Sequence, residues 1–302
     1  MPIIDVRNLH KRYGEKVVVD DVSFSVEEGE IFGILGSNGA GKTTTVECVA
    51  GMRPTDAGSI TVLGQDPRRK RDGVRQRLGI QLQEARLPDR IRVGEALDLY
   101  ASFYRSPADT GQLMERLGIA DKRDTQYRRL SGGQKQRVSI ALALVGRPAV
   151  TILDELTTGL DPQARRDTWD LIEDVRESGV TVVLVTHFMD EAERLCDRLA
   201  LIDSGRVAAL DTPDGLVTRA SPEQRVTFRA PPGFDEQLLT ARPEVVSAHR
   251  RGRQVRVAGR DDLLHAVTSV LAREHVVAED LRVERSSLDD AFVVLTGRAL
   301  ES

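Results

Sequence analysis

Apolar and polar positions alternate along "IIDVRNLHKRYG" and again along "VVVDDVSFSVEEGE", then give way to the unbroken apolar run "IFGILG". Alternation predicts strands buried on one face, and a short continuous run predicts a strand buried on both. From "GKTTTVECVAG" onward helical spacing and apolar runs take turns. "VTILDE" reads as a buried strand, "PQARRDTWDLIEDVRESG" as a helix and "VTVVLVTH" as another strand. That succession predicts a largely parallel sheet with helices on its faces. Between "IQLQE" and "LSGGQ" the pattern is helical throughout, as in "VGEALDLYASFY" and "TGQLMERLGI", and marks a helical insert over about 84–145.

The character changes after "LIDSGRVAALDTPDGLVTRASPEQ", at a joint containing Ser221 and Pro222. Beyond it, "RVTFRA", "VVSAHRRG", "RQVRVAGR" and "DLRVERSS" read as strands, with helices at "GFDEQLLTA" and "DDLLHAVTSVLAREH" and a closing helix at "LDDAFVVLTGRAL". A βαββαβ order with one extra helix suits a small α+β sandwich of ferredoxin-like type. Two domains are therefore expected, 1–220 and 221–302.

Composition changes this picture little. With 302 residues, 40% of them hydrophobic and 30% charged, the chain reads as an ordinary globular protein large enough for two cores. A net charge of −4 gives no reason to expect a nucleic-acid partner, and the basic run "PRRKRDGVRQR" reads as a solvated face. No lysine follows Lys135, an arginine bias that suggests a GC-rich bacterial genome. Cys48 and Cys196, both expected in helices, are too few for a disulfide framework and fit a reducing cytosol. The longest apolar stretches, "VSIALALVG" and "VTVVLVT", fall short of the ~20 residues that span a bilayer, and the N-terminus has no apolar leader. The chain is thus expected to be neither secreted nor membrane-spanning, so that any membrane role comes through a partner.

Candidate chemistry begins at "GSNGAGKTT", which fits G-x-x-x-x-G-K-[ST] just after a predicted strand and just before a helix. Gly36, Gly39 and Gly41 let the backbone curl with its N–H groups inward, and the helix starting near Lys42 adds its positive end. Asn38, Ala40 and Thr44 complete the loop's contacts, Lys42 reaches the β- and γ-phosphates, and the Thr43 hydroxyl ligates Mg²⁺. Asp154, ending a buried strand, is the expected second magnesium ligand. Glu155, one residue on, is the expected general base for an attacking water. His187, at the end of "VTVVLVTH", lies where an imidazole meets the same γ-phosphate. His10, His249, His265 and His275 have no such setting. Ser131, Gly132 and Gly133 precede the helix "QKQRVSIALALVG" and make a second anion-binding helix end.

The set "GSNGAGKTT", "LQE", "LSGGQKQR", "TILDE", "TTGLDP" and "VTH", in this order, resembles the nucleotide-binding subunit of ATP-binding cassette (ABC) transporters over the span from the N-terminus to about Leu216. The resemblance implies a P-loop NTPase cassette with a RecA-like core, an antiparallel β subdomain and a helical subdomain. It implies ATP and Mg²⁺ as cofactors and a head-to-tail pair of cassettes, in which Ser131, Gly132, Gly133 and Gln134 of one copy cover the γ-phosphate held by the other. By similarity Tyr13 stacks on adenine with Val18 beside it, Gln83 joins magnesium and the attacking water to the helical insert, and Asp161 communicates between the two sites. The segment from Glu84 to Tyr104 would face the membrane partner. Two departures stand out: Ser37 replaces the usual proline of the loop, and Leu156 replaces the proline that usually follows the catalytic glutamate, removing a fixed φ between Glu155 and Asp161.

The tail "SSLDDAFVVLTGR" resembles that of bacterial ABC-2-type export ATPases of the daunorubicin-resistance group. That likeness implies a peripheral subunit on the cytoplasmic face of the membrane, bound to an ABC-2-type permease and exporting a drug-like or lipophilic compound. The alternative is a soluble cassette ATPase acting on ribosomes or nucleic acid. That class generally uses tandem cassettes or very long inserts, and this chain has one compact cassette. A GTPase is disfavoured because N-K-x-D is missing.

Overall fold

The structure is a computed structural model, and it describes residues 1–82, 87–220, 224–231, 233–260, 262–284 and 286–297. The chain divides into two compact units, Met1–Pro213 and the residues from Asp214 onward.

In the first unit β1 (Ile4–Tyr13) and β2 (Lys16–Val26) form an antiparallel hairpin, with Ile4 and Val6 buried in the expected alternation and Leu9 returned to the buried face by a register shift after Val6. β3 (Ile31–Leu35) is buried at all five positions and runs through a glycine loop into α1 (Lys42–Val49). β4 (Ala57–Val62) returns to pair with β1 and completes a three-stranded antiparallel sheet, β2-β1-β4. After α2 (Arg71–Arg75) and β5 (Leu78–Gln81) comes the helical section, with α3 (Val93–Ala101), α4 (Thr110–Arg116) and α5 (Gly132–Leu144). β6 (Val150–Asp154), α6 (Pro162–Glu177), β7 (Thr181–Thr186), α7 (Met189–Leu195), β8 (Arg198–Asp203) and β9 (Arg206–Asp211) follow.

The six-stranded sheet has the order β5-β6-β7-β3-β8-β9, parallel except for β9. Its order, rather than the chain order, builds the site. β7 lies between β6 and β3, so Asp154, the end of β7 and the loop after β3 come together at one carboxyl edge, the edge where open α/β sheets bind ligands. The two sheets share one core, in which Phe24 of β2 stacks on Phe32 of β3 with ring centroids 5.4 Å apart. Phe32 is fully buried, and truncating such a ring to alanine costs about 3–5 kcal/mol.

The second unit holds most of α8 (Pro213–Ala220), then β10 (Gln224–Arg229), α9 (Gln237–Thr240), β11 (Val245–Arg251), β12 (Gln254–Gly259), α10 (Leu263–Arg273), β13 (Glu279–Glu284) and α11 (Leu288–Thr296). Its antiparallel sheet runs β11-β12-β10-β13, the split βαβ arrangement, and α10 packs Leu263, Val267, Val270 and Leu271 on Val226, Phe228, Val255 and Val257. α8, expected with the first domain, groups with this unit from Asp214 onward, and the expected joint at Ser221 and Pro222 lies outside the described residues. No described helix is long and apolar enough to cross a membrane.

Candidate active site

The loop from Gly36 to Gly41 is held in place from both sides. A Cβ at Gly36 would sit 2.2 Å from the Ile202 carbonyl oxygen at the end of β8. Gly41, at φ +102, approaches the Val18 carbonyl so closely that a Cβ would meet it at 2.7 Å. Gly41 is also the N-cap of α1 and brings no side chain to cap it, and the N–H groups of Lys42, Thr43 and Thr44 take no partner among the described residues. An open helix end of this kind attracts anions through its free donors and its dipole.

Lys42 is buried. Its Nζ donates to the carbonyls of Gly36 (2.8 Å) and Ser37 (3.1 Å) and lies 3.8 Å from Glu155 Oε1. Burial lowers its pKa, while the carboxylates of Glu155 and Asp154 work against that shift. Ser37, the departure from the usual proline, thus contributes a carbonyl that any residue could supply.

Asp154 is fully buried at the end of β6, and neither carboxylate oxygen completes a hydrogen bond, although the Thr43 hydroxyl faces them. Burial pushes its pKa up to about 6, and the neighbouring Glu155 charge adds to the rise. An unpaired buried carboxyl beside a threonine hydroxyl and an anion-seeking helix end is a set of hard oxygen donors that fits Mg²⁺. No described cluster of three His, Cys, Asp or Glu residues could hold a metal ion, so the rest of such a shell would come from the nucleotide and water.

Glu155 is the strained residue. Its backbone sits at φ +49, fixed by its N–H donating to the Val185 carbonyl at 2.8 Å. A non-glycine residue held there costs about 1–3 kcal/mol, a strain that clusters at functional sites. The side chain lies between two nitrogens, with His187 Nδ1 at 3.3 Å and Lys42 Nζ at 3.8 Å from the same oxygen. Leu156, in the usual proline position, is buried at 1% exposure, so packing restrains it where a pyrrolidine ring is lacking.

The Ser131 helix end differs from the sequence reading in detail. α5 begins at Gly132, two residues earlier than the expected Gln134, with Ser131 as N-cap. The Ser131 hydroxyl accepts from the Gln134 N–H (3.3 Å), and the Gln134 side chain accepts from the Ser131 N–H (3.0 Å). This capping box satisfies donors that the sequence reading left open to an anion. A Cβ on Gly132 would meet Leu160 at 3.5 Å and one on Gly133 would meet Ala164 at 3.6 Å, so this end abuts the start of α6. Asp161 caps α6 there, accepting from the N–H groups of Gln163 and Ala164. Among the described residues no hydrogen bond or ion pair joins Ser131–Gly133 to the loop at 36–44.

The fold therefore gathers Lys42, Asp154, Glu155 and His187 into one cluster and Ser131, Gly132, Gly133 and Asp161 into another. Tyr13, at the end of β1, is 42% exposed, too open for a packed core aromatic, and its ring lies near Lys11 and Arg53. Val18 is half-buried and touches the loop through its carbonyl. Gln83 lies outside the described residues. Sequence reasoning assigned no role to Gln81, whose side chain accepts from the buried Asp154 N–H at 3.1 Å. The available signal was a polar residue in an otherwise apolar strand. Both thiols are buried and pushed up by burial, Cys48 to about 11, and Cys196 forms the C-cap of α7 rather than a helical position.

A family model described as ABC transporter matches residues 19–158. The chain is 43% identical over 222 residues to the Nod factor export ATP-binding protein I of Ralstonia nicotianae, covering 72% of this chain and 69% of that one. It is 35% identical over 302 residues to the daunorubicin resistance ATP-binding protein DrrA3 of Streptomyces coeruleorubidus, covering 97% and 96%. Among solved structures, cbiO1 of Clostridium perfringens, part of the ABC transporter complex cbiONQ, superposes with a TM-score of 0.65 at 29% identity, over 71% of this chain and 90% of that one. With likeness along nearly its whole length and a lysine loop, strand-end carboxylates and strand-end histidine brought to one edge, this chain belongs to the ABC transporter ATP-binding family, the ATPases of that transporter class.

Proposed function

We propose that two copies of this chain close head to tail around two ATP molecules and drive a separate ABC-2-type membrane subunit that exports a drug-like or lipophilic compound. The supporting observation is that among the described residues no hydrogen bond joins the two glycine-rich helix ends of one chain, while Lys42, Asp154, Glu155 and His187 gather at the first of them. A second copy would bring its Ser131, Gly132, Gly133 and Gln134 over the γ-phosphate. Likeness over the whole chain to a daunorubicin resistance protein supports the export assignment and the place on the cytoplasmic face of the membrane.

In this reading Lys42 and the N–H groups of α1 bind the β- and γ-phosphates, and Tyr13 and Val18 receive the adenine. Thr43 and Asp154 would hold Mg²⁺, with Gln83 as a further ligand, and the ion when bound neutralises charge on the phosphates. Glu155 takes the proton from an attacking water, and His187 orients that water and the γ-phosphate. Glu155 Oε1 lies 3.8 Å from Lys42 Nζ and 3.3 Å from His187 Nδ1, so the base, the histidine and the lysine stand side by side. Replacing Glu155 with Gln is expected to lower turnover by about 10²–10⁴-fold while ATP binding persists and an ATP-bound dimer accumulates. Monomers at saturating ATP in that variant would remove the paired arrangement, and wild-type turnover would remove the role of Glu155.

A further inference from the structure

Glu191 is a buried carboxylate that the hydrolytic scheme does not use. It has no exposed surface, and it stands on α7 four residues after His187. Oε1 accepts a hydrogen bond from the Trp169 indole Nε1 of α6 at 3.1 Å. Oε2 is equally buried and completes no hydrogen bond of good geometry, yet the hydroxyls of Thr157 and Thr186 face the carboxylate. Both threonines are fully buried. Thr186 Oγ1 already accepts from the Phe188 N–H at 3.0 Å, which leaves its own proton to be donated, and the Thr157 hydroxyl completes no other bond. One indole N–H thus donates to the carboxylate, and two buried hydroxyls from two further segments face it.

The identity of those segments gives the cluster its meaning. Thr186 is the last residue of β7 and immediately precedes His187. Thr157 lies two residues after Glu155, on the run that leads to Asp161. Trp169 belongs to α6, the helix that Asp161 caps. The adjacent Asp190 is engaged elsewhere, 3.3 Å from Arg165 of α6, and does not compete for the same donors. A buried carboxylate without a countercharge is costly, and it persists when several donors depend on it. Burial raises the Glu191 pKa, and the two hydroxyls and the indole pull it back toward the charged form.

We infer that Glu191 is a positioning residue, whose carboxylate ties the strand end carrying His187 to the segment between Glu155 and Asp161, so that both move as one body when nucleotide binds or leaves. The inference rests on the hydrolytic reading of Glu155 and His187. It assigns Glu191 to turnover rather than to nucleotide affinity, because among the described residues no hydrogen bond or ion pair is shown from its carboxylate to the loop at 36–44.

The test compares Glu191→Gln with Glu155→Gln and wild type in the full chain, following steady-state ATPase rates, KM for ATP and the thermal midpoint without nucleotide. An amide keeps the acceptor for Trp169, but its NH₂ accepts from neither hydroxyl. The expected result is a kcat lowered about tenfold or more with KM within about twofold, and a midpoint within about 4 °C of wild type. Thr157→Val and Thr186→Val should each lower kcat alone and add little in the Glu191→Gln background, since they break the same link. Wild-type kcat in Glu191→Gln would overturn the inference, as would a kcat loss that adds independently to those of the threonine variants. So would a loss of ATP affinity and midpoint together with kcat, the mark of a merely structural residue. Wild-type rates in Glu155→Gln would instead overturn the hydrolytic reading itself.

Discussion

The amino ends of α1 and α5 look alike in sequence, each a glycine-rich turn opening a helix, and the structure treats them in opposite ways. At α1 the cap is Gly41 with no side chain, the first N–H groups take no partner among the described residues, and a buried lysine lies beside them. At α5 Ser131 and Gln134 close on each other, so this end is largely satisfied by its own side chains. An uncapped helix end costs stability unless a ligand arrives, and a capped one does not. The α1 end, in the proposed reading, is completed by its guest, whereas the α5 end is completed by its own cap.

The sharpest way to break this contrast is Lys42→Ala, which should reduce ATPase turnover by at least about 10²–10³-fold, measured as phosphate release at saturating ATP. A variant that kept wild-type rates would make the two ends equivalent after all. Next in size is the effect of pH through Asp154. Its carboxyl is raised to about 6, so the folded chain keeps a proton that the unfolded chain loses between about pH 4 and 6. Stability without nucleotide should thus fall as pH rises through that window. Asp154→Asn should remove the slope and stabilise the nucleotide-free chain at pH 7 by about 1–3 kcal/mol, read from urea melts. The same carboxyl should make Mg²⁺ affinity drop about tenfold per unit below pH 6.

Smaller effects belong to the α5 end. Ser131→Ala removes a cap worth about 1 kcal/mol and, in the proposed pairing, a donor to the nucleotide, so it should lower both the thermal midpoint and turnover. Gln134→Ala breaks only the return bond of the capping box and should cost less stability. If the two variants proved equal in turnover, the Ser131 hydroxyl would have no role beyond its cap.

The lysine loop was legible because its information is local: glycine spacing, a preceding apolar strand and a following helix lie within a few residues of each other. Asp154, Glu155 and His187 were legible by type and by their place at strand ends, and the sheet order then brought them together. Contacts between distant segments were not. Gln81 stands out as polar in an apolar strand, but nothing near it names Asp154 of the neighbouring strand as its partner, and nothing near Glu191 names Trp169. The S-x-x-Q spacing of "SGGQ" carries the signature of a capping box, and the same residues also match a ligand motif, so the sequence alone does not separate the two roles. The left-handed backbone at Glu155 had no signal at all, because glutamate is an unusual choice for it.

That last feature has an evolutionary edge. Glutamate occupies a conformation that glycine or asparagine adopts with less penalty, and in the proposed reading the need for a carboxylate keeps it there. In a duplicated gene copy relieved of the need to split nucleotide, drift at this codon would be rewarded with added stability. The residue found at the equivalent of position 155 should accordingly divide working motors from retired ones before any assay is run.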